Sequence, residues 1–249
     1  MTTSAEPLDR PTAGGTAADR YTVVHEGELL RHPLRTRVTH WAVAIFFILG
    51  LLSGFGLYSP WLYKFLTPLF GGGAMTRFLH PWFGLGFVIA FAFEFFNWRA
   101  PMTWKASDSQ WMRRMKEYAR NTEKLESPDV GFFNAGQKMY FWVIFWSAAA
   151  FLVTGILMWF PEIFGRVLVA ISYVLHDIAA LAMLGSFIVH IYEGTAQQPG
   201  TFHSMTRGTV SEKWAWTHHP AWYKEAAGKD PREAYDAEEA WQEINRRAL

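Results

Sequence analysis

The sequence predicts an all-α integral membrane protein, a four transmembrane helix bundle with a cytoplasmic helical extension at its C-terminal end. Three observations carry that prediction. Four long blocks are nearly free of Asp, Glu, Lys and Arg; the basic residues concentrate in alternate connections between them; and the segments at both ends are polar. A membrane helix needs roughly 20 apolar residues at ~1.5 Å rise each, and all four blocks reach that length.

Residues 1–30 read as a disordered cytoplasmic tail, rich in Thr, Ala, Gly and Pro at its start, with Glu6 and Asp9 and no apolar stretch of signal-peptide kind. The first span is then expected to act as an uncleaved insertion signal. It falls at about 39–58, inside the uncharged run Trp41–Tyr63. The second, about 77–98, is uncharged from Phe78 to Phe93 and reaches Trp98 if Glu94 is buried or snorkels. The third, about 139–160, lies between Lys138 and Glu162, and the fourth, about 167–193, carries His176, Asp177 and His190. Residues 31–200 thus form the membrane domain and 201–249 the extension, where Trp214, Trp216, Trp222, Tyr223 and Trp241 predict packing against the bundle base or a partner.

Lys and Arg mark the cytoplasmic side. Arg31, Arg35 and Arg37 precede the first span, and the second connection holds Arg99, Lys105, Arg113, Arg114, Lys116, Arg120, Lys124 and Lys138. The first connection has only Lys64 and Arg77, and the third only Arg166. Both termini are therefore expected in the cytoplasm. Trp61, Tyr63, Trp98, Trp159 and Tyr192 fall where an interfacial aromatic belt belongs.

Composition narrows the chemistry. A net charge of +1 with no basic cluster gives no reason to expect nucleic acid. The absence of cysteine excludes disulfides within the chain, thiolate-held iron–sulfur clusters and thioether-linked haem. A redox group here must be held by histidine, methionine or carboxylate.

Four of the nine histidines lie in or at the ends of spans: His40, His80, His176 and His190. A lone histidine in a membrane helix can be polar glue between helices or an interfacial residue; an intramembrane cluster points to function. His176 and His190 are 14 residues apart, close to four full turns, so both leave one face of the helix ~21 Å apart along its axis. Two haems stacked across a bilayer need ligands at about that spacing. His40 begins the first span at the depth of His190, and His80 begins the second at the depth of His176. The expected axial pairs for the iron of two b haems are therefore His40 with His190 and His80 with His176; the crossed pairing would join opposite halves of the membrane.

Gly54 lies 14 residues after His40, and Gly84 and Gly194 lie one turn after His80 and His190. They fit a porphyrin laid against the helix, or ordinary close helix packing. Asp177, beside a ligand, is a candidate tuning group. A di-iron carboxylate centre needs paired Glu-x-x-His motifs, and the chain has only His190 and Glu193 in the reverse order.

The stretches RVTHWAVAIFFILGLLSG, RFLHPWFG, FFNAGQKMYFW, VLHDIAALAML, IVHIYEG and GTVSEKWAWTHHPAWYKE resemble the gamma, cytochrome b556, subunit of respiratory formate dehydrogenase over about residues 35–225. The resemblance implies a heterotrimer, with a molybdenum or tungsten alpha subunit oxidising formate and an iron–sulfur beta subunit delivering electrons. These would pass through the outer haem (His80, His176) and the inner haem (His40, His190) to menaquinone or ubiquinone in the bacterial inner membrane. A higher oligomer of the heterotrimer rests on the family alone. The family's quinone pocket carries over to Asn134, Gln137 and His190; on the residues alone, the two amides equally suit a helix cap. Glu94 and Glu193 could relay protons to the quinol or bridge to the basic loop. His218 and His219 are expected at the surface or a partner contact. The departures are an N-terminal extension with His25 and His32, and an acidic tail with Glu233, Asp236, Glu238 and Glu239.

Two other readings stand beside this one. A di-haem cytochrome b of a nickel–iron hydrogenase or thiosulfate reductase would differ in partner and not in chemistry. A haem-free membrane anchor would use the histidines as glue. A transporter is disfavoured because the chain shows no inverted repeat or broken helix pair.

Overall fold

Long apolar runs bounded by helix-starting residues set the elements. The computed structural model describes residues 23–25, 27–118, 130–234 and 236. Four of its helices are long and apolar enough to cross a membrane. They are α1 (Leu34–Tyr58), α3 (Gly73–Trp98), α5 (Ala135–Trp159) and α6 (Pro161–Tyr192). Each matches an expected span and extends it by several residues at its start. α5 begins earlier because Asn134 and Gln137 close a capping box: Asn134 Oδ1 accepts from Gln137 N at 2.9 Å and Gln137 Oε1 from Asn134 N at 3.0 Å. α6 begins at Pro161 and turns sharply at Gly165, whose φ of 75° suits glycine.

The bundle is two helical hairpins. α1 packs chiefly on α3 and α5 on α6, and α3 and α5 join the pairs. Gly86 lets α1 approach closely, since a Cβ there would meet the Phe46 ring at 2.6 Å. The α3–α5 seam is aromatic: Phe95 stacks on Phe141, 7° from parallel, and on Phe145 at 4.9 Å between centroids. On the opposite flank α6 faces α1 and α3, and there the histidines face one another. The outward face of α6 exposes Ile163, Val167, Leu168, Ile171, Val174 and Leu181, the surface of a helix meant for lipid or another apolar chain.

Two features of the short connections were not foreseen. A seven-residue helix, α2 (Pro60–Leu66), follows Ser59, whose hydroxyl accepts from Leu62 N at 3.4 Å, and a 3₁₀ turn, Thr67–Phe70, leads into α3. Three short strands, β1 (Val23–His25), β2 (Glu28–Leu30) and β3 (Thr209–Ser211), pair antiparallel in that order, Leu29 facing Val210. The tail expected over residues 1–30 thus gives way to strand by Val23. β1 pairs with β2 close by, but β2 pairs with β3 about 180 residues away, and three-residue strands leave no periodicity to read. Residues 1–22, with Glu6 and Asp9, fall outside the described residues, as do Arg120, Lys124, Glu238, Glu239 and Trp241.

Beyond α6 the chain folds back as a π turn (Glu193–Gln197), α7 (Thr201–Thr206), β3, α8 (Glu212–His218) and α9 (Pro220–Ala227). With β2 these enclose a second core of Leu29, Val210, Trp214, Trp216, Trp222 and Tyr223. The aromatic extension therefore packs on the bundle base, joined to it by Phe132, which touches both Phe133 and Trp222. Arg31 is the pin. It is 2% exposed, lies over the Phe132 ring at 4.0 Å and the Trp222 ring at 4.4 Å, and donates to the Phe132 carbonyl. Gly208 carries the chain across it with φ of 92°, its carbonyl accepting from both Arg31 N and His32 N; a Cβ there would press on the His32 carbonyl at 2.7 Å. α4 (Ala106–Tyr118) is held to α5 by a buried ion pair, Lys138 Nζ to Asp108 Oδ2 at 2.7 Å.

His219 corrects an expectation. It is fully buried, and His218 is nearly so, instead of lying at the surface. Its Nδ1–H donates to the Gly131 carbonyl at 2.7 Å, and Nε2 accepts from Arg31 at 3.3 Å. Buried His32 packs against Trp98 and Phe132. Burial, with the nearby Arg31 guanidinium, holds both imidazoles well below the ordinary 6.5. Both are neutral when folded, whereas the unfolded chain protonates them below that value. Their contribution to stability is complete above about pH 6.5 and falls as the pH drops. Hydrogen-exchange protection at residues 208–223, relative to the intrinsic rate at each pH, should fall from pH 7.5 to 5.5, and equal protection at both pH values would refute this.

Candidate functional site

Four half-buried imidazoles meet in two pairs across the α1/α3–α6 flank. His40 on α1 lies beside His190 on α6, ring centres 6.1 Å apart and planes 49° apart. His80 on α3 lies beside His176 on α6, at 6.2 Å and 63°. The two pairs expected from depth are those the fold brings together. α6 supplies one member of each, from positions four turns apart.

The spacing discriminates between ways of holding a metal. An imidazole nitrogen binds a first-row metal at ~2.0 Å and sits ~1.1 Å from its ring centre, so two rings opposed across one ion have centres ~6.2 Å apart. Two ligands of a tetrahedral ion would sit at ~5 Å. At these distances the two rings of each pair could hold one haem iron between them. Among the described residues, no set of three or more His, Cys, Asp or Glu is placed to hold a metal.

Hydroxyls orient the rings of the lower pair. Ser53 Oγ is 2.9 Å from His80 Nδ1 and Thr154 Oγ1 is 2.8 Å from His176 Nδ1. Each hydroxyl proton is directed to a carbonyl of its own helix, Ser53 to Leu49 at 2.7 Å and Thr154 to Ala150 at 2.5 Å. That arrangement lets the oxygens accept from Nδ1–H, which would leave both Nε2 atoms for a ligand. Gly54 gives His80 its space, since a Cβ would meet Cε1 at 3.1 Å. Gly84 and Gly194 have nothing within 4 Å of a built Cβ, so close helix packing does not account for either.

The upper pair is built differently. Tyr140 on α5 stacks flat on His190, 4.4 Å between centres and 12° from parallel. His40 Nδ1 is buried with no hydrogen-bond partner. Asn134, buried, and Gln137, half-buried, lie two turns and one turn before Tyr140 on α5. Their carbonyl oxygens are used in the capping box; their amide nitrogens are not part of it. Glu94 follows His80 by 14 residues, which sets it on the same face of α3 at the level of the upper pair. It is 4% exposed, Oε1 has no hydrogen-bond partner, and among the described residues it forms no ion pair. Glu193 accepts from Gln198 Nε2 at 3.3 Å. Asp177, one position after His176, is half-buried.

Comparison with known proteins agrees with this geometry. The description of prokaryotic cytochrome b561 matches residues 31–208, from the Arg31 pin to the Gly208 turn. The chain belongs to the prokaryotic cytochrome b561 family. Membership makes it an integral membrane b-type cytochrome and brings haem b to the chain. Among curated relatives of this cytochrome, the nitrate-inducible cytochrome b556(Fdn) subunit of formate dehydrogenase from Escherichia coli K12 is 34% identical over 200 residues, 79% of this chain and 91% of that one. The cytochrome b556(fdo) subunit of formate dehydrogenase from the same strain is 31% identical over 200 residues, 79% and 92% of the two chains. The formate dehydrogenase cytochrome b556 subunit of Haemophilus influenzae is 30% identical over 209 residues, 82% and 85%.

The sequence reading missed Ser53, Thr154 and Tyr140. The first two were available as the polar residues of otherwise apolar helices, but their partners sit on neighbouring helices, and no spacing within one helix reveals that.

Proposed function

We propose that this chain is the membrane subunit of a formate dehydrogenase complex and carries electrons from an iron–sulfur partner through two b haems to a quinone. The observation that carries it is the two opposed imidazole pairs strung along one face of α6. His80 and His176 would hold the outer haem, and His40 and His190 the inner. When bound, the haems supply the one-electron steps between the partner and the quinone. The names of the relatives point to formate dehydrogenase, whose formate chemistry would lie on a molybdenum or tungsten subunit. The Lys/Arg asymmetry supports cytoplasmic termini in a bacterial inner membrane, with the capped end of the bundle, 201–249 included, on the cytoplasmic side.

The residues around the upper pair suit quinone reduction. The amide nitrogens of Asn134 and Gln137 can donate to a quinone carbonyl. Tyr140 holds His190 in place by flat contact, leaving its ring edge for the quinone. Menaquinone and ubiquinone are both accommodated by that chemistry. Glu94, buried one helix away with an unpartnered oxygen, suits uptake and release of the protons that quinol formation consumes better than a structural ion pair. Glu193, already hydrogen-bonded, suits it less.

A reduced-minus-oxidised spectrum with pyridine haemochrome quantification on the purified complex tests the core of the proposal. Two b haems per chain are expected, with one lost in His176→Ala and one in His190→Ala. No haem, or haem unchanged in both variants, would return the anchor reading to first place. A co-purifying hydrogenase or thiosulfate reductase subunit, instead of a formate-oxidising one, would change the partner and leave the chemistry. Glu94→Gln should keep both haems and slow reoxidation of the reduced complex by a soluble naphthoquinone at least about tenfold, the scale of a lost proton donor. Unchanged kinetics would remove Glu94 from the proton path.

A further inference from the structure

We infer that Ser53 and Thr154 are positioning residues that make the His80–His176 site the more reducing of the two, so that electrons run from it to the His40–His190 site. This rests on reading both pairs as haem sites. The asymmetry on which it stands is in the side chains alone. Ser53 is fully buried and Thr154 is 3% exposed, each with its own proton committed to a carbonyl one turn back. Neither can rotate to donate to its histidine without abandoning that carbonyl in a low dielectric, which is costly. Both therefore act as fixed acceptors for Nδ1–H, at 2.9 and 2.8 Å.

An imidazole whose N–H is drawn toward an acceptor carries more electron density on its other nitrogen and is a more basic ligand. A more basic axial ligand favours the oxidised over the reduced metal. At the His80–His176 site both ligands are strengthened in this way, from opposite sides, by hydroxyls on two different helices. At the His40–His190 site neither is: His40 Nδ1 is buried without a partner, and among the described residues the His190 ring nitrogens have no hydrogen-bond partner, the ring lying flat against Tyr140. Tyr140 fixes the His190 ring by stacking, which orients it without accepting its proton. Two sites with the same donor atoms thereby acquire different electron affinities. The outer one gives up its electron more readily, and transfer toward the quinone side is downhill.

Spectroelectrochemical titration of the purified complex reads this directly. Two one-electron components are expected in the wild type, and the His176→Ala variant identifies the lower one as the component it removes. Ser53→Ala and Thr154→Val should each raise the lower component, and together shift its oxidised-to-reduced ratio about tenfold, ~59 mV for one electron, while the upper component stays. Thr154→Ser and Ser53→Thr keep the hydroxyl and should keep the wild-type potential. If Ser53→Ala loses the lower component outright, Ser53→Thr must still retain it unshifted, and failure to do so overturns the inference. Movement of the upper component instead, or no movement with both haems retained, overturns it while leaving the di-haem reading standing. Absence of any haem component in the wild type defeats the functional proposal itself.

Discussion

The separation of two histidines along one rigid helix governs the rest of this protein. α6 runs unbroken from Arg166 to Tyr192 and holds His176 and His190 on one face, ~21 Å apart at the ordinary rise of an α-helix. That distance cannot be adjusted by side-chain rotation, so the other helices must deliver opposing imidazoles at the two fixed depths. α1 does so at its start and α3 at its start, on opposite ends of the bundle because the chain reverses between them. The hairpin pairing of α1 with α3 and α5 with α6 follows: the flank between the pairs must stay wide enough for two rings to stand ~6 Å apart, so close packing is confined to the aromatic α3–α5 seam on the other side.

The low dielectric around the bundle explains which polar residues survive inside it. Each has a specific use. Ser53 and Thr154 satisfy their own helices and contact His80 and His176; Asn134 and Gln137 satisfy the first backbone groups of α5; Lys138 and Asp108 neutralise one another. Glu94, like His40 Nδ1, differs: it is buried with an oxygen that no group serves. An unserved polar atom in such a place is costly, and the proton chemistry proposed for the adjoining site is the function that would retain it.

The base of the bundle is closed by a separate device. Arg31 inserts its guanidinium between Phe132 and Trp222 and shares His219 with the backbone of Gly131, tying the segment before α1, the segment before α5 and the C-terminal helices into one cap. The family match begins at Arg31 and ends at Gly208, both in this cap, while His219 and Trp222 lie beyond it. The cap also bears on the site, because Asn134 and His40 both lie directly beneath it in sequence, three residues past Gly131 and nine past Arg31.

The four spans, their approximate limits and the pairing of the four histidines were legible in the sequence, because each depends on quantities local to one helix. Apolar length, charge and a 14-residue spacing suffice to place a ligand at a depth, and depth alone allows one pairing. The packing of the aromatic extension on the bundle was legible for the same reason, in its density of Trp and Tyr. What the sequence could not decide was everything that required knowing which helices are neighbours. The β2–β3 pairing, the burial of His219, the isolation of Glu94, the stacking of Tyr140 on His190 and the hydroxyls behind His80 and His176 all join residues from separate elements. Hydrophobic periodicity says which face of a helix is buried and never against what. Only the tertiary structure supplies the second partner, and at these four histidines the second partner is what makes two chemically identical pairs into two different sites.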